Sequence, residues 1–314
     1  MNKKGLEFSF TWIFALIAGA AILFFAIYGA TKVIRTSEYE VSTVTAKELS
    51  VIFEPLETGI ATGKSMKASL NQETRLYNDC FETGVFGEQQ ISLATKRGKT
   101  WNKPGAPIPI NNKYIFSEDP AEGKDITVFG MPFEFPYKVA DIIVLTARDY
   151  CFINAPDQIK EDIENLNLGN IHFDKNCTAQ DARVCFGGSL GARNCNLFVY
   201  GTCQFDCESE YDEGYVSTGK KNIYFARNLI YAAIFSDEAV YECNVKRLMK
   251  KALQLALLYK DESQFISTKC TTVSSVDLAN FAQQLSNANT SRSITSLNYM
   301  ANSLDSQFQE CELW

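Results

Sequence analysis

A chain of 314 residues has room for about two domains, or for one large domain with an anchor. Its 46% hydrophobic and 21% charged residues exclude a disordered chain, a collagen-like repeat and a coiled-coil rod. A net charge of −7, with no basic region of domain size, argues against nucleic acid as a partner, and ten cysteines beside a single histidine are the unusual feature.

No charged residue occurs from Phe8 to Thr31. About 20 apolar residues, at ~1.5 Å each, span the hydrocarbon core of a bilayer, so this run predicts a transmembrane helix over 8–31. It exceeds the roughly 7–15-residue apolar core of a cleaved secretory signal, and no A-x-A site follows it. Trp12 and Tyr28 suit the aromatic belts at the two interfaces. The flanking charges nearly balance: Lys3 and Lys4 against Glu7 on one side, and Lys32, Arg35 and Lys47 against Glu38, Glu40 and Glu48 on the other. The cysteines break the tie. All follow the apolar run, beginning at Cys80, which places the C-terminal part on the oxidising side and residues 1–7 in the cytoplasm.

Lys3-Lys4-Gly5-Leu6, followed at once by a long apolar helix, resembles the prepilin-type (class III) signal of archaeal type IV pilin-like surface proteins. The resemblance covers the first 30 or so residues. It implies cleavage after Gly5, with Lys4, Gly5 and Leu6 as the processing residues, and retention of the helix as anchor or filament core. Read by charge alone, Lys3 and Lys4 are equally the cytoplasmic stop charges of an uncleaved signal anchor.

Residues 32–68 read as a helical stalk. Val41, Val44, Leu49, Ile52, Leu56 and Ile60 recur near helical period, with Pro55 ending or kinking the helix. Its apolar face either packs on its own head, the reading we prefer, or serves self-association. Residues 69–235 read as a mostly β head. Its strands are expected at Arg75–Cys80, Gln90–Thr95, Asn112–Phe116, Asp125–Phe129, Ala140–Ile153, Asn222–Ala226 and Leu229–Phe235, with a short helix at Asp157–Leu166. Within the head, 174–222 reads as a loop-rich, cysteine-rich insert unable to build much core. Residues 236–314 turn helical. Ser236 is expected to cap a long helix whose Lys246, Arg247, Lys250 and Lys251 form a solvated basic face. Ser274-x-x-Asp277 opens a second helix, and a third is expected from Ile294 to Glu310. The fold class is therefore α+β: transmembrane helix, stalk, disulfide-stapled β head and helical C-terminal subdomain.

Cys80, Cys151, Cys177, Cys185, Cys195, Cys203, Cys207, Cys243, Cys270 and Cys311 are all disulfide candidates. Five lie between 177 and 207, so at least one of those pairs outside the insert or stays free. Neither zinc-ribbon nor iron–sulfur spacing is present. A helical hairpin formed by the last two helices would bring Cys270 and Cys311 together at its open end, with Cys243 as the competitor.

Gly187-Gly188-Ser189-Leu190-Gly191 matches G-x-S-x-G, but the lone His172 precedes it, and a nucleophile elbow needs its histidine afterwards. Asp206, Glu208, Glu210 and Asp212 alternate as calcium ligands can, yet Glu213 occupies the EF-hand glycine position, so they stand only as weak candidates. Asn289-Thr290-Ser291 is the better of two glycosylation patterns, since Cys177 would hinder Asn176-Cys177-Thr178. No glycine loop cradling a nucleotide phosphate follows any expected strand, and no cofactor is expected. These features point to a single-pass, membrane-anchored extracellular protein of structural or adhesive, pilin-like function, not an enzyme. Its partners would be the bilayer and either copies of itself or other surface proteins. The alternative is a membrane-tethered hydrolase working through paired carboxylates.

Overall fold

The computed structural model describes residues 10–52, 65–187, 194–202 and 211–314. One helix, α1, runs unbroken from Phe10 to Ile52 and carries the uncharged run at its start. Among the described residues thirteen strands follow: β1 (Ser65–Phe81), β2 (Glu88–Arg97), β3 (Thr100–Trp101), β4 (Ile108–Ile110), β5 (Tyr114–Ser117), β6 (Ala121–Glu134), β7 (Lys138–Thr146), β8 (Tyr150–Ile153), β9 (Ile171–Phe173), β10 (Ala182–Phe186), β11 (Leu197–Thr202), β12 (Glu213–Ser217) and β13 (Asn222–Ala226). Helix α2 (Asp157–Asn165) crosses between β8 and β9. The chain closes with α3 (Leu229–Phe235), α4 (Glu238–Ile266), α5 (Ser275–Ser286) and α6 (Ser293–Asp305). The architecture is α+β.

The strands form two sheets. The first has the order β3-β2-β1-β6-β7-β5, with β4 also on β2, and is antiparallel except for β5 on β7. The second has the order β13-β12-β11-β10-β8-β9, with β11, β10, β8 and β9 mutually parallel. The first sheet curls until its ends meet. The Gln89 amide on β2 bonds the backbone of Ile115 on β5 as a strand residue would: Ile115 N–H donates to Oε1 at 2.8 Å, and Nε2 donates to Ile115 O at 2.8 Å. Inside the curl is a small core of Leu76, Ile91, Leu93, Ile115, Val128, Ile143 and Leu145. The larger core lies between the sheets and under the helices. Its centre is Phe235 of α3, which meets Phe129 of the first sheet edge-on at 5.7 Å and Tyr150 of the second at 4.7 Å.

Several expectations change. Leu229–Phe235 is a helix rather than a strand. All seven side chains are buried, and an apolar run buried on every side carries no period to distinguish the two. The run Ala140–Ile153 is two strands, β7 and β8, one in each sheet, broken where Arg148 and Asp149 reach solvent. The stalk is shorter than 32–68, since Ser65 already begins β1 and pairs with Phe129 of β6. The segment 174–222 is not a coreless insert: Val184, Val199 and Val216 are wholly buried in the second sheet. The N-cap position of the long helix is Asp237, not Ser236, and its side chain makes no capping bond; α6 ends at Asp305 instead of Glu310. Ser274 does cap α5, accepting from the Asp277 N–H at 3.3 Å.

Four disulfides are described: Cys80–Cys243, Cys151–Cys177, Cys185–Cys195 and Cys270–Cys311. Cys270 and Cys311 stand at the open end of the α5–α6 hairpin with Cα atoms 6.0 Å apart. Cys243 instead ties α4 to the end of β1. Cys177 makes the pairing out of the insert that its odd count requires. Cys203 and Cys207 lie outside the described residues.

Candidate functional site

The N-terminal apolar helix is described from Phe10. Over Phe10–Val33 its mean hydropathy is 2.4, and none of that stretch is buried against the rest of the chain. Residues such as Phe10 and Ile22 are 83% and 70% exposed. At ~1.5 Å per residue the 24-residue span reaches about 36 Å, enough to cross a hydrocarbon core of ~30 Å. The same helix then seats itself on the head. Ala46 is buried in the core inside the first sheet, and Thr43 Oγ1 accepts from the Ala106 N–H at 3.0 Å. One continuous helix thus joins the apolar span to the seat on the head.

Above the seat lies a group that sequence reasoning placed in solvent. Arg247 of α4 is wholly buried. Its Nε donates to Phe86 O at 2.9 Å, and Nη1 donates to Gln89 Oε1 at 2.9 Å and Asn244 Oδ1 at 2.7 Å. Its guanidinium stands 4.8 Å from the centre of the Tyr114 ring, a cation–π contact. Among the described residues no carboxylate forms an ion pair with it. Burial pulls its pKa down from the usual arginine range, while the Tyr114 phenol, itself pushed up to about 12 by burial, and Glu88 oppose that. Asn78, Gln89 and Asn244 each donate a side-chain amide to Ile115 O, and Asn78 also donates to Ser117 Oγ at 2.9 Å. Gly87 permits the approach: at φ +68, a Cβ there would meet Arg247 Nε at 2.7 Å. The one hint in sequence was spacing, since Arg247 follows Cys243 and Asn244 by four and three positions on the apolar stripe begun by Val240. Lys246 and Lys250 do face outward, bonding Glu82 at 2.9 Å and its carbonyl at 2.8 Å.

The second sheet presents a row of tyrosines on its outer face. Tyr200, Tyr215 and Tyr224 are directly opposite one another across β11, β12 and β13, and all are half-buried. Tyr200 and Tyr215 stack at 4.9 Å and 28°, Tyr215 and Tyr224 meet at 5.8 Å, and Arg292 lies 5.9 Å over Tyr224. The two stacked faces cover one another, so this part of the row offers ring edges and hydroxyls rather than a flat platform. Burial, with the neighbouring Tyr215 phenol, raises the Tyr200 pKa. Gly214 lets the strands close here, because a Cβ on it would stand 1.9 Å from Tyr200 O.

Carboxylates gather where the sheets join. Glu118, just past β5, accepts from Tyr150 Oη at 3.2 Å, and its Oε2 stands 2.8 Å from Arg148 Nε. Burial pushes this carboxyl up, and the negative Asp237 adds to the rise, while Arg148 and the Tyr150 hydroxyl pull it down. Asp119 accepts from the Asn78 N–H at 3.2 Å. The Glu118 contacts clamp the end of β5 to the β7–β8 crossing between the sheets, and the Asp119 contact ties it to β1.

Of the residues proposed from sequence, Lys4, Gly5 and Leu6 lie outside the described residues, as do Asp206, Glu208, Glu210 and all of the Ser189 motif but Gly187. Asp212 is described: its Oδ2 accepts from Asn298 Nδ2 at 2.7 Å and Asn302 Nδ2 at 3.3 Å, tying β12 to α6. Among the described residues no group of three or more His, Cys, Asp or Glu is placed to hold a metal ion. Asn289 is exposed in the turn between α5 and α6. Compared with known proteins, the chain matches no family model, no curated protein and no solved structure.

Proposed function

We propose that this protein is a single-pass, pilin-like surface protein. Its N-terminal helix stays in the membrane, and its disulfide-bonded head stands on the oxidising side and meets other molecules. The observation that carries this reading is α1. An apolar span, none of it buried and without charge through Thr31, continues as one helix into a segment whose Ala46 is buried in the head. A signal removed after translocation has no need of such a seat. The disulfides support an oxidising compartment, because glutathione and thioredoxin keep cytosolic thiols reduced. The prepilin-type signal supplies the processing step, with cleavage after Gly5. The tyrosine row, with edges and hydroxyls outward, is of the side-chain type enriched at protein interfaces.

The test is the intact mass and location of the native protein. A membrane-bound chain beginning at Leu6, with protease added to intact cells degrading the head, is expected. A mature chain that begins after Val33 and is released from membranes would make the helix a cleaved signal and end the anchor reading.

A further inference from the structure

The α5–α6 turn carries a feature that goes beyond location. Asn289 and Thr290 are exposed, but Ser291, which completes the acceptor pattern, is 1% exposed. Its backbone N–H donates to Glu242 Oε2 at 2.8 Å, its hydroxyl donates to the other oxygen of the same carboxylate, and that hydroxyl accepts from the Tyr224 N–H at 3.3 Å. Glu242 lies on α4 and Tyr224 on β13, so two distant pieces of chain close on one serine. The next residues extend the lock: Ile294, fully buried, donates its N–H to Ser291 O at 2.9 Å.

An enzyme that modifies asparagine in this pattern must read the hydroxyl two positions on. In the folded protein that hydroxyl is withdrawn, while in the unfolded chain it is free. We propose that Asn289 carries an N-linked oligosaccharide, attached before α4, β13 and the turn close over Ser291. The donor is a polyprenyl-diphosphate-linked oligosaccharide. The amide nitrogen of Asn289 bonds to the anomeric carbon, the bond from that carbon to the carrier phosphate oxygen breaks, and the amide proton passes to solvent. The attached sugar meets no packing conflict at Asn289, because it leaves from an exposed turn while the locked serine keeps its bonds. This rests on the head lying outside the cytoplasm, as proposed above.

Two measurements test it. Peptide mass spectrometry on full-length protein from its native membranes is expected to find Asn289 bearing the glycan; bare Asn289 as the sole species overturns the proposal. If protease on intact cells still degrades the head, that failure belongs to this proposal alone, whereas a protected head overturns the location. In the second, unmodified full-length chain is incubated with an oligosaccharyltransferase and its polyprenyl-diphosphate-linked donor, once folded in detergent and once unfolded. Labelling of the unfolded chain but not the folded one is expected, and the folded Glu242→Ala variant should regain labelling. Equal labelling of folded and unfolded wild type would show that the serine lock does not govern the site.

Discussion

The two sheets solve the same problem by different means. The first is built from long, mostly antiparallel strands, of 17, 10, 14 and 9 residues for β1, β2, β6 and β7. It closes on itself, encloses its own core and is fastened by amides, one buried arginine and the Cys80–Cys243 bridge to α4. The second has strands of three to six residues, four of them parallel, and two disulfides hold its edge and its loop. Parallel pairs are slightly weaker per residue and need longer connections, so this sheet leans on its inner-face side chains in the larger core, such as Phe152, Val184, Val199 and Phe225. Two local disulfides brace the short strands and loops of the second sheet, whereas side-chain hydrogen bonds close the first, whose one disulfide reaches out to α4.

The largest expected effect is on the polar fastening. Arg247→Ala leaves Phe86 O, Gln89 Oε1 and Asn244 Oδ1 short of a donor in a buried site and opens a cavity. Denaturant unfolding of the full chain in detergent should show a loss of about 3–5 kcal/mol; a loss below ~1 kcal/mol would mean that the first sheet stands by packing alone. Replacing Cys151 and Cys177 by serine releases a 26-residue loop and should cost about 3.5 kcal/mol on the chain-entropy estimate. Here the pattern matters as much as the size. Amide exchange should quicken in β8 and β9 and stay slow in β1 and β6, and uniform quickening would erase the distinction between the sheets.

Gln89→Ala should cost about 2 kcal/mol, since it removes both bonds that pair β2 with Ile115. The tyrosine row is a smaller element, and Tyr215→Leu should cost about 1 kcal/mol through the lost ring contacts. Smallest is the pH dependence at the junction. Glu118 has a raised folded pKa because burial disfavours its charge, so its contribution to stability is full below the unfolded glutamate pKa and is lost as pH rises through the folded one. Thermal melts of Glu118→Gln across the acid range should therefore lose that decline, leaving a flatter profile than wild type.

How much of this was legible from sequence depends on whether a local pattern decides it. The uncharged run, the Ser274 cap and the Cys270–Cys311 bridge follow from hydropathy, capping chemistry and short-loop geometry, all read within about 40 residues. Leu229–Phe235 was not legible. A helix buried by both sheets looks like any apolar run, and what buries it lies up to a hundred residues away, as Phe129 does. The Arg247 site was hidden for the same reason. Lys246, Arg247, Lys250 and Lys251 read as one charged face, and only Asn78, Gln89 and Tyr114, brought in by the first sheet, separate the buried arginine from its solvated neighbours.

By itself, then, the amino-acid sequence determined the apolar helix, the α+β class and the need for disulfides, because length, hydropathy and cysteine count act through local or compositional physics. Only the tertiary structure decided which sheet each half of Ala140–Ile153 joins, which cysteine meets Cys243, and that Ser291 and Arg247 are withdrawn from water. Each of those outcomes is set by a partner distant along the chain, and burial and hydrogen bonding depend on that partner rather than on the residue itself.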